Sequence, residues 1–512
     1  MRCARICIPA AALLLLASGG IVSSLASPIP AGIVVKAGDP AGPSTVASMG
    51  APFTNSAGQV GFCGSLADNE SFVWCSTGPV FLSNSALPLI VSGGESTMGI
   101  DDSCGFIYSP SVDGKDALYT QYGVLVKKGD PNPLLPGRYT TFSSRPIMLP
   151  NGTCWWMGGS ATTPTGTTTN RHCFMTDDPS DPSSIVLVFS GGDVIGGKTI
   201  NPAASNFGFW VSDNGLHHIH ILTMDAGTYN VYLDGGLVAK QGDPTGQGDN
   251  WKVFDAVSVN SKGNYVFMGG TDGPTDSAAF IAYNGAIKVR EGNTIDGVTI
   301  PIGVTTRWAS INNDNYVAFM WGASSDEYLF YGYGPYLAAS NKVLHTGDSV
   351  DVNNDAVADY TVTDFNGGPT VGPNLDLATD GFLYVDVDLT PIGGGSAFQA
   401  ILRMAVSSSA SVSDQNGTRA RGVSLLASRP NPFSSRTAVG YVLRDSAPVR
   451  LSVYDVLGRH VRTLVDGVEG PGVHMQAWDG AGSDGSPMPA GTYFIRLESN
   501  GVSVPQKVIR IE

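Results

Sequence analysis

The run Asp351-Val352-Asn353-Asn354-Asp355-Ala356-Val357-Ala358-Asp359 carries the densest set of oxygen donors in the chain. Asp351, Asn353, Asp355 and Asp359 stand at positions 1, 3, 5 and 9, the spacing of oxygen ligands in calcium loops, so the run is a candidate calcium loop with a structural role, the alternative being a solvated acidic turn. It lacks the glycine that eases the sharp turn (Ala356 stands there) and the bidentate glutamate that would close the cage (Val362 stands there). His217-His218-Ile219-His220 is the one histidine cluster. On a strand, His218 and His220 share a face and His217 points away. That pair has the chemistry of a metal ligand set, although strand histidines more often simply pack. Asp101-Asp102, Asp326-Glu327 and Asp386 with Asp388 offer carboxylate pairs for acid–base work, but spacing along the chain does not set their separation in space. Trp155, Trp156, Trp308 and Trp321 suit either sugar stacking on an exposed face or core packing. The chain has no G-x-S-x-G elbow and no H-E-x-x-H. No catalytic residue is assigned.

Five cysteines follow residue 26: Cys63, Cys75, Cys104, Cys154 and Cys173. Their spacing matches no zinc pattern. In an oxidising compartment the simplest pairings are Cys63–Cys75 and Cys154–Cys173, each bridging neighbouring strands and leaving Cys104 unpaired. The alternative is five small buried apolar side chains.

The elements that must position these groups follow from composition. Of 512 residues, 65 are Gly and 32 are Pro, and only 14% are charged, too few for a set of long amphipathic helices. Many short strands joined by Gly, Pro, Asn and Asp turns fit better, and the length calls for two or more domains. The net charge of −15 argues against nucleic acid and anionic lipid as partners. Residues 1–26 read as a secretory signal: Arg2 and Arg5, then an apolar stretch from Ile8 to Ala17, then Ser24-Leu25-Ala26 as the cleavage site. No later stretch is long and apolar enough to suggest a membrane span.

Residues 30–406 repeat themselves. One element is an apolar strand ending in Gly followed by Gly, Asp or Asn. It is clearest at Val35–Pro40, Val126–Pro131 and Val238–Pro244, with anchors at Gly38, Gly94, Gly129, Gly192, Gly242, Gly292 and Gly347. A second element is Asn-x-x-Gly before an alternating apolar strand. It occurs at Asn55–Phe62 and Asn260–Phe267, again at Asn312–Phe319 with Asn315 in the glycine position, and in degenerate form at Leu377–Tyr384. Anchors about fifty residues apart leave room for about four short strands per unit, and stacking such sheets radially covers both faces of each. The expected fold is therefore all-β, a six- or seven-bladed β-propeller; a β-sandwich array and a β-solenoid are the alternatives. These motifs resemble the bacterial extracellular tandem-repeat family named for N-x-x-G-x-x-(A)-F, which implies a surface protein of unassigned activity.

Residues 407–423 read as a Ser-rich flexible linker. Residues 424–512 then show clean period-two strands, with Val449, Leu451 and Val453 on one face and Arg450, Ser452 and Tyr454 on the other. The pattern, with Trp478 as a core plug, fits a small Ig-like sandwich. Arg429-Pro430-Asn431-Pro432-Phe433, the Tyr454–Arg459 strand-turn and Gly491–Leu497 resemble the C-terminal sorting domains of type IX secretion and the Ig-like module of flagellar hook-capping proteins. The resemblance implies export through outer-membrane secretion machinery. The chain ends on Gln506–Glu512 where sorting domains often carry a Lys-rich strand. The expectation is a secreted or cell-surface protein whose propeller binds a glycan or protein partner. An extracellular hydrolase or lyase on the same scaffold, and a structural envelope spacer, are the alternatives.

Overall fold

The computed structural model describes residues 28–511 except 84–90, 93–97, 136, 143–145, 162–169, 203–207, 276, 304–305, 324–325, 367–373, 379–380, 407–422, 426–432, 435, 444–446, 470–471 and 501. The expected signal segment, most of the expected linker, the Arg429–Pro432 opening and the Gly94 anchor lie outside the described residues.

Between residues 29 and 405 the chain forms seven blades in sequence order, each built on four antiparallel strands, some with short extra strands at their edges. Blade 1 is Ser44–Met49 with Phe53–Thr54, then Val60–Leu66, Ser71–Cys75 and Gly78–Leu82. Blade 2 is Met98–Ile100, Phe106–Tyr108, Lys115–Thr120 and Gly123–Lys127. Blade 3 is Arg138–Phe142 with Ile147–Met148, then Cys154–Ala161, Asn170–Thr176 and Val186–Ser190. Blade 4 is Gly208–Val211, His218–Thr223, Tyr229–Leu233 and Gly236–Lys240. Blade 5 is Trp251–Val259, Tyr265–Thr271, Ala279–Tyr283 and Ala286–Arg290. Blade 6 is Thr306–Ile311, Tyr316–Ala323, Asp326–Tyr333 and Asn341–His345. Blade 7 is Tyr360–Phe365 with Leu375–Leu377, then Phe382–Pro391 and Phe398–Ala405, and its fourth strand is Gly32–Lys36 from the other end of the chain. The fold is a seven-bladed β-propeller followed by an Ig-like sandwich.

Alternation along each strand sends successive side chains to the two neighbouring blades. Phe106 and Tyr108 pack with Cys63, Val73 and Cys75 of blade 1. Ile107, between them, packs with Trp156 and Phe174 of blade 3. The ring closes where Tyr384 and Ile401 of blade 7, with Val35, meet Val46, Phe62 and Trp74 of blade 1. Strands buried on both faces read as unbroken apolar runs, as in Cys154–Ala161, where every residue is buried.

Both repeat elements are turns. The glycine anchors sit where the chain leaves the outer strand of one blade for the next. At Gly242 (φ +88°) the N–H donates to Trp251 O (2.7 Å), and Trp251 N–H donates back to Asp243 O (3.0 Å). The same pair of bonds forms at Gly38, Gly129, Gly192, Gly292 and Gly347. The Asn-x-x-Gly element is the turn from first to second strand. Its closing bond, from the fourth residue's N–H to the first residue's carbonyl, joins Gly58 to Asn55, Gly263 to Asn260, Asn315 to Asn312 and Gly381 to Ala378. It also joins Cys104 to Asp101, Gly152 to Leu149 and Gly215 to Ser212, so every blade carries it. Adjacent turns interlock: Asn55 Nδ2 donates to Asp101 O (2.8 Å) and Asn260 Nδ2 to Asn312 O (2.8 Å).

The cysteine pairings differ from expectation. Cys75 bonds to Cys104, with Cα atoms 5.9 Å apart, which ties blade 1 to the first turn of blade 2. Cys63 is therefore not joined to Cys75; it stands opposite Val73, while Cys75 stands opposite Gly61. Cys154 is not joined to Cys173 because the register sets Cys154 opposite Thr176 and Cys173 opposite Met157. That odd offset turns the two thiols to opposite faces of blade 3, Cys154 toward blade 2 and Cys173 toward blade 4.

The C-terminal module has a core of its own. A three-stranded sheet (Val423–Leu425, Thr437–Leu443, Gly472–Trp478) faces a four-stranded one (His460–Glu469, Ala447–Asp455, Gly491–Ser499, Val502–Arg510). Val439, Tyr441 and Trp478 pack on Val449, Leu451, Val453, Ile495 and Leu497, and the Trp478 Nε1–H donates to Ala481 O (2.9 Å).

Candidate functional site

The innermost strands of the blades converge on the propeller axis. Phe53, Ile100, Met148, Trp210 and Leu377 fill it and leave a cavity of about 30 Å³, room for about one water. Phe53 and Trp210 have ring centroids 6.1 Å apart, and Trp210 and Trp308 are 6.0 Å apart. Two carboxylates line this cavity. Asp376 Oδ2 accepts from Thr54 N–H and Oγ1–H (2.8 Å each), and Oδ1 accepts from Ser310 Oγ (2.8 Å). Burial still raises its pKa despite those bonds. Asp213, half-buried, accepts from Asn313 Nδ2 (3.0 Å), and its carboxyl is pushed up to about 6, by burial first and then by the charge of Asp376.

The carboxylate pairs singled out in the sequence are spent on structure. Asp101 Oδ1 caps its own turn through Ser103 and Gly105 N–H (2.7 Å each), and Asp102 accepts from Ser56 Oγ (2.6 Å) of blade 1. Asp326 pairs with His345 (2.9 Å), whereas its neighbour Glu327 is buried and accepts from Phe365 N–H (3.2 Å). Asn366 Nδ2 donates to both Asp386 and Asp388 (3.0 Å each). Gln399 Nε2 donates to Asp386 Oδ2 (2.8 Å) and to Met49 O (2.8 Å), bracing the seam between blades 7 and 1. Burial drives the Asp386 pKa well upward.

His218 and His220 share a face, as strand geometry requires, with Nδ1 of the first 2.9 Å from Nε2 of the second. His217 turns away to Asp234 (2.7 Å). Burial lowers the pKa of both His218 and His220, and His220 stacks at 10° on Phe209. Trp155, Trp156, Trp308 and Trp321 are buried between blades rather than presented on a face.

In the Asp351–Asp359 loop the candidate ligand oxygens face the loop's own amides. Asp351 Oδ1 accepts from the backbone N–H of Asn353, Asn354 and Asp355 (3.2, 2.6 and 3.3 Å), and Oδ2 accepts from Ala356 N–H (2.8 Å). Asp359 accepts from Val352 N–H (2.9 Å) and from Asn353 Nδ2 (3.2 Å), and Asp355 from Val357 N–H (2.8 Å). The oxygens expected to hold calcium hold the loop's own amides. Among the described residues no group of three or more His, Cys, Asp or Glu side chains is placed to hold a metal ion.

A larger recess of about 490 Å³ lies at the end of blade 5, where all four of its strands begin or end. Asp249 and Arg290 form an ion pair across it (2.9 Å), both side chains little exposed. Arg290 also donates through Nε to Gln247 Oε1 (3.0 Å) and through NH1 to Ser277 O (2.7 Å). Burial works against ionisation of Asp249, but hydrogen bonds from Thr245, Thr271 and Arg290, and the guanidinium charge, outweigh it and hold the carboxyl down at about 2. Asn250 grips the exposed Asp272 carboxylate with its N–H (2.7 Å) and Nδ2 (2.9 Å). Sequence reasoning missed this recess. Its signal was the run Gly246-Gln247-Gly248-Asp249-Asn250, where two glycines at positive φ flank an exposed amide.

Residues 433–502 match the FlgD Ig-like domain family. The C-terminal module is thus Ig-like by sequence as well as by fold. No curated protein matches the chain. Among solved structures, PorZ, a bacterial surface component of the type IX secretion system of Porphyromonas gingivalis, is 13% identical over 92% of this chain at a TM-score of 0.33. The chain spans about half of PorZ, 52% of its length. A protein of unknown function from Dyadobacter fermentans is 11% identical, covering 73% of this chain and 99% of its own, at a TM-score of 0.33. The polysaccharide lyase Uly1 is 8% identical, covering 71% of this chain and 78% of its own, at a TM-score of 0.28.

Proposed function

We propose that this protein is exported, that its propeller is a binding scaffold working at the bacterial surface or outside the cell, and that the Ig-like module is the address read by outer-membrane secretion machinery. The observation that carries the binding reading is the filled axis. With Phe53, Met148 and Trp210 closing the centre, a partner meets the loops at the ends of the blades, not a central chamber. Such loops are where a rigid β-scaffold can vary its chemistry without disturbing its core. The partner is a glycan or a protein. The export reading is supported by the charged and apolar opening of residues 1–26 and by an Ig-like module with a separate core.

The test is fractionation of the native cells, with protease accessibility of the intact cell and mass spectrometry of the mature termini. The expected result is a chain beginning at Ser27, sensitive to external protease or found in the medium. A full-length C-terminus confined to the periplasm would overturn the reading.

A further inference from the structure

We infer that the recess at the end of blade 5 is a binding site for a neutral saccharide; this deepens the binding reading above and rests on it. The recess holds about 490 Å³, within the roughly 300–1,000 Å³ usual for small-molecule sites, whereas the propeller axis holds about 30 Å³.

Its polar groups are fixed before any ligand arrives. Asp272 is oriented by two donors from Asn250. Gln247 is held at both ends, its Nε2 donating to Ile287 O (3.3 Å) and its Oε1 accepting from Arg290 Nε (3.0 Å). Arg290 is locked by Asp249 and by Ser277 O. Side chains already ordered lose little further freedom on binding, so a modest set of hydrogen bonds suffices for affinity. The loop after Asp272 lies against Asp249, since a Cβ on Gly273 would meet Asp249 Oδ2 at 2.8 Å. One wall of the bowl is therefore closed by the Gly273 backbone against the Asp249 carboxylate, itself fixed by Arg290.

The chemistry of the rim selects the ligand class. Among the described lining residues, Asp249 and Asp272 against Arg290 leave one net negative charge. An anionic ligand is repelled, and Arg290 is already engaged and has little to offer it. The exposed oxygens of Asp272 and the amide of Gln247 instead suit a ligand that presents several O–H donors. Exposed Pro274 supplies an apolar edge for ring C–H groups. A neutral sugar offers both.

The experiment applies the mature full-length protein to an array of neutral and acidic glycans, then titrates the best neutral hit by calorimetry against wild type, Asp272→Ala and Gln247→Ala. Both replaced side chains are exposed and outside the core, so the variants are expected to fold, checked by a cooperative melting transition. The expected result is binding of neutral glycans only, weakened at least tenfold by either change. A blank array, binding confined to acidic glycans, or neutral-glycan binding that both variants leave intact overturns the site. A blank array with the protein found at the surface sinks this site alone. Neutral-glycan binding by a protein confined to the periplasm sinks the export reading alone.

Discussion

Asp213 and Asp351 show how differently two carboxylates in one acidic chain behave. Asp213 has its pKa raised from 3.8 to about 6, so above pH 6 the folded protein carries an ionised group that burial and Asp376 disfavour. As pH falls from 6 toward 4, the folded state takes up this proton before the unfolded chain does, and the cost fades. Asp213→Asn keeps an acceptor for Asn313 and removes the charge. It is expected to stabilise the propeller by about 1–2 kcal/mol at pH 7.5, after discounting for partial exposure, and by nothing near pH 4. Urea midpoints at the two pH values measure this; a gain that did not shrink on acidification would show that charge is not the cause. Asp351 is the opposite case. It gathers four backbone N–H groups, and Asp351→Ala takes the acceptor from those of Asn353, Asn354 and Ala356, at a cost of about 2–3 kcal/mol. With Ala356 at the sharp turn and Val362 where a bidentate glutamate would close the cage, millimolar CaCl₂ is expected to leave the melting temperature of the wild type unchanged. A calcium-dependent rise absent from Asp351→Ala would restore the cation reading.

At the scale of elements, the turns carry the regularity and the glycines in them are not equivalent. Gly129 and Gly242 have φ of +94° and +88° with nothing within 4 Å of a built Cβ, so replacement by Ala meets backbone strain alone, about 1 kcal/mol each. Gly99 is different: a Cβ there collides with Met148 N and Ile147 C of the neighbouring blade. Gly99→Ala is expected to cost about 3 kcal/mol or more, because backbone cannot step aside as a side chain can. Thermal melts of the three variants rank them, and equal losses would show that blade contact at Gly99 is not tight. The glycine anchors were legible because positive φ demands glycine, and all six that are described sit at equivalent exits. Only four of the seven inner turns were legible. Asp101, Leu149 and Ser212 replace Asn in the others, and a turn closed by backbone bonds tolerates that replacement. The disulfide was illegible for a related reason. Which face a cysteine takes depends on register, and Cys75 meets Cys104 only because blade 1 packs against blade 2. The recess on blade 5 was illegible because its members come from both ends of one blade's sequence, Gln247 to Arg290.

At the scale of the whole molecule, the ring is held shut by the N-terminal strand Gly32–Lys36. Gly32–Lys36 pairs antiparallel with Phe398–Ala405, with Gly32 opposite Arg403 and Lys36 opposite Ala400. Contacts this distant in sequence are paid for in loop-closure entropy, so the strand's own burial must hold them. Val35 lies in the cluster where blade 7 meets blade 1, and burying a Val or Ile contributes roughly 1.5–3 kcal/mol. Losing the strand also exposes the edge of Phe398–Ala405 and strips one wall from blade 1. The total is comparable with the 5–15 kcal/mol that stabilises an ordinary domain. Deletion of residues 27–37 is therefore expected to abolish the cooperative transition of the propeller. Truncation after residue 406 is expected to leave that transition where it was, because the core of the Ig-like module includes no propeller residue. Calorimetry separates the two. The chain from residue 27 to 512 should show two transitions, the chain ending at 406 only the propeller's, and the chain beginning at 38 only the module's at its original temperature. A chain beginning at 38 that kept the propeller transition would mean the seven blades hold together without the N-terminal clasp, and that the closed ring is set by the blade-to-blade clusters alone.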